Sequence, residues 1–216
     1  MSNFMREPIN SLTHLVGAIL SCFGLLAMIL KISTINGSMI ELLAVVIFGI
    51  SLILLYSAST TYHMVIASEK IIAFLRRMDH SMIFVLIAGT YAPFCLISLN
   101  GEIGWIIFSV ITFLAVCGVL FKMVWFKCPR WLSTILYIAM GWIIILAAKP
   151  LSHTISNTGV LLLLIGGIFY TLGGVIYGIK PKFLSFKNWG FHEIFHLFIL
   201  AGSLFHFLSV YLFVIK

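Results

Sequence analysis

LLAVVIFGISLILLYSASTTYHMVI, residues 42–66, runs for 25 residues without one Asp, Glu, Lys or Arg. A helix needs about 20 apolar residues to cross a hydrocarbon core of about 30 Å, so this stretch reads as a membrane span. Others of its kind lie on both sides, and together they place seven spans at about 12–30, 42–66, 80–99, 104–124, 132–148, 159–179 and 192–214. Composition leads to the same reading: of 216 residues 62% are hydrophobic and 9% charged, against roughly 25% charged in soluble chains. So few charges cannot clothe the outside of a molecule in water, and lipid must be the outer solvent. The expected fold is all-α, a polytopic seven-helix membrane protein. Its connectors are short, which leaves one membrane domain over 1–216 and no separate soluble one.

The basic residues give the orientation. With seven spans, one side holds Arg6, the Lys70–Arg77 cluster, Lys122, Lys127, Arg130, Lys180, Lys182 and Lys187, ten of the thirteen Lys and Arg. The other side holds Lys31, Lys149 and Lys216. This bias over short loops puts the N-terminus in the cytoplasm and the C-terminus outside. The net charge of +7 is therefore topogenic, and no nucleic-acid partner is expected. Residues 1–11 are polar and no small-residue cleavage site follows, which argues against a signal peptide. Cys22, Cys95, Cys117 and Cys128 are widely spaced and read as buried structural thiols. Gly89 and Pro93 are expected to bend the third span, and Gly174 and Gly178 to give the sixth a small-residue packing face.

Polar residues inside spans are costly, so each requires a reason. His63 closes the second span in Ser59-Thr60-Thr61-Tyr62-His63, and His192-Glu193-Ile194-Phe195-His196 opens the seventh. Residues four apart share a helix face, so His192 and His196 can bind one ion together. The topology places His63, Asp79, His192 and His196 at a similar depth near the cytoplasmic face. Three neutral imidazoles from two helices with a carboxylate nearby form a zinc set, since zinc is the usual tenant of three-His sites with an open fourth position. The bland alternative is that a histidine at a span end is an interfacial residue or a packing hydrogen-bond partner, and this is the favoured reading of His80, His153 and His206. The HExxH string also occurs in zinc proteases, but composition excludes a soluble protease fold. Glu7, Asn10 and His14 gather at the start of the first span. They serve either as cap and interface residues or as an outer ring that orients the metal site; spacing does not choose between these.

The order Glu7-Pro8-x-Asn10-x-x-Thr13-His14, Ser59-x-x-x-His63, Asp79 and His192-x-x-x-His196 resembles the hemolysin III family, the bacterial branch of the progestin and adipoQ receptor group. The resemblance spans nearly the whole chain and includes Ser68-Glu69-Lys70, Gly89-Thr90-Tyr91-Ala92-Pro93 and Phe205-His206-Phe207. It implies a multi-pass protein of the bacterial cytoplasmic membrane. In the adiponectin-receptor branch the histidines matching His63, His192 and His196 bind zinc. There the aspartate matching Asp79 holds a zinc-bound water, and the serine matching Ser59 lies beside the site. That branch has Gln where this chain has Glu193, which undercuts a catalytic role for Glu193. The large N-terminal region of the receptors is absent, so hormone sensing does not transfer.

The expected function is hydrolysis of a lipid amide or ester, with zinc as cofactor, membrane lipids as partners and a long-chain acyl substrate. Asp79 would take the proton of the attacking water, and Ser59 would hydrogen-bond the water or the developing oxyanion. Arg76 or Arg77 would meet an anionic headgroup. The first rival is a structural zinc site in a non-catalytic membrane-homeostasis or sensor protein. The second is the pore-forming activity in the family name, for which the chain offers no amphipathic strand pattern and few charges to line a channel.

Overall fold

Ser38 and Glu41 show how the spans begin. The Ser38 side chain accepts from the Glu41 N–H at 3.3 Å while Glu41 accepts from the Ser38 N–H at 2.6 Å, a capping box that opens α2 (Met39–Met64). Pro8, whose missing N–H costs nothing at a helix start, opens α1 (Pro8–Thr34). The computed structural model describes residues 5–125, 128–184, 186 and 189–216. Its other helices are α3 (Glu69–Pro93), α4 (Glu102–Val124), α5 (Arg130–Trp142), the short α6 (Ala148–Thr154), α7 (Asn157–Ile179) and α8 (Phe191–Ser209). Wider π turns extend α3 through Phe94–Ser98 and α8 through Val210–Val214, and a 3-10 stretch, Ile143–Ala147, joins α5 to α6. Seven segments are long and apolar enough to cross a membrane, as expected. Among the described residues there is no strand, and 87% of them are helical.

The usual pattern of inside and outside is inverted. Large apolar side chains such as Leu20, Phe23 and Phe113, each 60% or more exposed, form a lipid-facing surface. Asn10, His14, His63 and His196 are at most 3% exposed. Span ends meet as the topology requires: the Glu7 N–H donates to the His63 carbonyl at 3.0 Å, and the Arg130 guanidinium lies 5.4 Å from the centre of the Tyr177 ring. This is the face rich in Lys and Arg, the cytoplasmic one by the positive-inside rule.

Four local expectations change. The third span begins at Glu69, not at 80, so Arg76, Arg77 and Asp79 lie within α3 and not in a loop. The reason is enclosure: 72% of the third span's apolar stretch is buried, against 22–44% in the other six, and Arg76, Arg77 and Asp79 line an internal cavity. The fifth span continues past 148 to Thr154. Cys22 and Cys117 are exposed and only Cys95 is buried, all four cysteines being free. The tight face of α7 is also different. A Cβ on Gly174 would meet Thr134 at an ordinary 3.4 Å, whereas one on Gly166 would meet the His206 ring at 2.4 Å. The close α7–α8 packing therefore runs through Gly166 and Gly202. The backbone does pass into π turns directly after Pro93, whose ring removes a helical hydrogen bond.

Candidate metal centre

The last turn of α2 and the first turns of α8 bring three imidazoles together. His63, His192 and His196 each offer a ring nitrogen within 4.8 Å of the others, and their ring centres form a near-equilateral triangle with sides of 4.8–5.0 Å. The Nε2 atoms of His63 and His192 face each other at 3.3 Å. Zinc–imidazole bonds of about 2.0–2.1 Å at tetrahedral angles put neighbouring nitrogens about 3.3–3.4 Å apart, so this edge already has metal-site dimensions. Neutral nitrogen donors in a buried pocket suit zinc and other imidazole-seeking cations.

The start of α1 holds the outer sides of these rings. Glu7 Oε2 lies 2.7 Å from His63 Nδ1. A carboxylate only accepts, so Nδ1–H donates and the Nε2 lone pair points to the centre. The hydrogen bond from His63 is the largest influence holding the Glu7 carboxyl down at about 2; the Asn10 amide and Arg6 add to it, against a burial that pushes the other way. Asn10 Nδ2 donates to Glu7 Oε2 at 3.0 Å and to Glu193 Oε1 at 2.9 Å, tying α1 to α8. It is not a helix cap, because α1 starts at Pro8 and Glu7 occupies the cap position. Thr13 Oγ1 donates to the carbonyls of Ile9 and Asn10. Its proton is thus spent, and it accepts from His196 Nδ1 at 3.4 Å, leaving His196 Nε2 bare. His14 stacks on His196 with centres 3.6 Å apart and planes within 9°. Buried metal ligands are commonly fixed in tautomer and direction by such partners.

Asp79 and Ser59 stand beside the triad and outside the ligand cluster. Ser59 lies within reach of the Asp79 carboxylate. Both line a cavity of about 160 Å³ whose walls also include His192 and His196. From His192 the cavity runs along α8 to His206, fourteen residues or about 21 Å of helix. Its deeper walls are mostly apolar, with Leu86, Phe94, Ile144 and Leu163 among them. A carboxylate, a hydroxyl, two of the imidazoles and an apolar channel thus share one space.

The comparisons with known proteins match the chain over nearly its full length. The family model described as haemolysin-III related covers residues 2–207. The chain belongs to the haemolysin-III-related family. The Hemolysin-3 of Bacillus cereus is 40% identical over 216 residues, all of this chain and 95% of that protein. The Hemolysin-3 homolog of Bacillus subtilis (strain 168) is 38% identical over 216 residues, all of this chain and 98% of the relative.

In this haemolysin-III-related chain all eight residues singled out from the sequence fall in one region: Glu7, Asn10, His14, Ser59, His63, Asp79, His192 and His196. Several neighbours were not singled out. Thr13 entered only as part of a motif, yet it touches His196. Glu193 closes the start of α8 through the Gly190 N–H at 2.7 Å and anchors Asn10. His80 faces the Tyr177 hydroxyl at 3.2 Å, and His206 Nε2 faces the Leu163 carbonyl at 3.2 Å, both packing roles as read from the sequence, while His153 is exposed. The buried Lys122, hydrogen-bonded to Ser133, lines the same cavity. Its polar character inside an apolar helix was the one signal that would have marked it.

Proposed function

We propose that this protein is a zinc-dependent hydrolase of lipid amides or esters acting in membrane lipid homeostasis, embedded in the bacterial cytoplasmic membrane. The observation that carries the reading is the convergence of three imidazoles, two of them on the wall of an apolar cavity that also presents Asp79 and Ser59. His63, His192 and His196 would hold the ion. When bound, zinc supplies Lewis acidity and activates water near neutral pH. Resemblance to the progestin and adipoQ receptor group supports zinc over its rivals.

The chain's own groups divide the remaining work. The apolar walls of α3, α5, α7 and α8 bind the acyl chain and keep bulk water out. Asp79 takes the proton of the attacking water. The Ser59 hydroxyl, beside Asp79 on the cavity wall, would turn its one proton to the oxygen on which charge develops. Glu7 and Thr13 keep the His63 and His196 rings aimed inward. Three protein ligands leave a position open for chemistry, whereas structural zinc sites have four, and this favours the hydrolase over a purely structural site. The relatives are called hemolysins. A cavity with mostly apolar walls, its charged groups confined to one end, supports a lipid-binding role more than an aqueous pore. The test is acyl release from amide- and ester-linked lipids by zinc-loaded protein in bilayer discs, with release expected for at least one class and lost in Asp79→Asn. Absence of release from every class would sink the proposal.

A further inference from the structure

Lys122 is a buried cation without a counter-ion. It sits near the end of α4 at 7% exposure, and its hydrogen-bond partner is the neutral hydroxyl of Ser133, itself 2% exposed. A buried charge is retained only when it is paired. The chain's six acids can be accounted for one by one. Glu7 holds His63, Glu193 holds the start of α8, and Asp79 lies beside Ser59 and Arg76. Glu69 lies on a separate surface hollow. Glu41 and Glu102 open α2 and α4 on the opposite face. Among the described residues none pairs with Lys122 or with Arg130, which lies against the Tyr177 ring.

Both cations line the cavity that holds the triad, together with Arg76 and Arg77, and Asp79 is the one carboxylate on its wall among the described residues. Lys122 and Arg130 thus bring two positive charges to the cytoplasmic end of the cavity with no carboxylate paired to either among the described residues. The other end is apolar and reaches about 21 Å along α8 from His192 to His206, more than the roughly 15 Å depth of one leaflet.

We propose that the cavity takes a phosphate-bearing acyl lipid, with its headgroup on Lys122 and Arg130 and its acyl chain along the apolar wall toward Leu163 and Phe94. A phosphate monoester brings about −1.5 to −2 charges and three acceptor oxygens, which offsets these positive charges better than the single charge of a fatty-acid carboxylate. Arg130 provides a planar fork suited to phosphate and Lys122 a point charge. The inference deepens the hydrolase reading by naming its substrate class, and it rests on that reading for turnover but not for binding.

The test is calorimetric titration of full-length protein in uncharged detergent with monooleoyl glycerol phosphate, monoolein, oleate and inorganic phosphate. The phosphate lipid is expected to bind at least about tenfold more tightly than monoolein or oleate, because each charge-assisted hydrogen bond contributes about a decade or more in affinity. Lys122→Gln and Arg130→Gln should each weaken it by about tenfold, with Lys122→Arg restoring most of the loss. Equal binding of monoolein, oleate or free phosphate overturns the proposal, as does wild-type affinity in both Gln variants. A protein that binds but turns nothing over fails the hydrolase reading alone, and one that turns over only uncharged lipids fails this inference alone.

Discussion

Replacing Glu7 by Gln tests whether the start of α1 governs the metal site. The carboxylate accepts from His63 Nδ1 at 2.7 Å, and a hydrogen bond to a charged group contributes about 1.5–3 kcal/mol. Glu7 is 38% exposed, so water screens part of that interaction and the lower half of the range applies. At about 1.4 kcal/mol per decade, the metal affinity should fall about tenfold, the weak end of the 10–100-fold loss typical for removing a partner of a metal-binding histidine. Glutamine keeps the size and can still accept, so the helix packing should survive. The assay is competition for zinc against a fluorescent chelator, with circular dichroism to verify folding. Glu41→Gln, on the opposite face, is the control and should not change affinity. A folded Glu7→Gln protein with wild-type zinc affinity would refute the idea that α1 orients the ligands.

Other consequences follow from particular contacts. Thr13→Val removes one acceptor beside His196 Nδ1 but keeps the shape; the contact is long, at 3.4 Å, and the Asn10 backbone stands by the same ring, so zinc affinity should fall by only a few-fold in the same competition assay, and a loss as large as that of Glu7→Gln would contradict the ranking. Asp79→Asn should keep its zinc, because Asp79 lies outside the ligand cluster, while acyl release drops by about 10²-fold or more; loss of metal in that variant would make Asp79 a ligand instead. Gly166→Ala drives a methyl into the His206 ring at 2.4 Å and should cost about 1–3 kcal/mol, lowering the melting temperature by about 2–4 °C per kcal/mol. Gly174→Ala meets Thr134 at 3.4 Å and should leave the melting temperature unchanged or higher, since Ala is the better helix former; the reverse order would show that the packing face has been misassigned.

The parts of this molecule legible from residues alone are those set by solvent. Seven apolar runs admit few foldings in lipid, and the distribution of Lys and Arg places the ends of those runs on one side or the other. That parity brings His63 level with His192 although 129 positions separate them. What stayed hidden depends on enclosure by neighbours. Arg76, Arg77 and Asp79 break the apolar pattern, so the third helix seems to begin eleven residues late; only the surrounding helices reveal that these charges line an internal cavity. Gly174 and Gly178 have the familiar spacing of a packing motif, whereas Gly166 and Gly202 lie on different helices and are paired by tertiary contact alone. Lys122 and Ser133 meet across a connector, and their relation to the triad passes through a cavity whose walls are ordinary Leu, Ile and Phe. No local pattern records a void. The roles of Glu7 and Thr13 divide along the same line: a motif can name them, but only the geometry shows which ring each one holds.

The central claim is that three histidines from α2 and α8 bind one metal ion. Its most direct test is elemental analysis of purified wild-type protein beside His63→Ala, His192→Ala and His196→Ala, each exchanged into the same zinc-containing buffer and washed alike. The prediction is about one zinc per wild-type chain and a steep loss in all three variants, because a site reduced to two imidazoles forfeits a third of its protein ligands. Equal zinc in all four preparations would contradict the account.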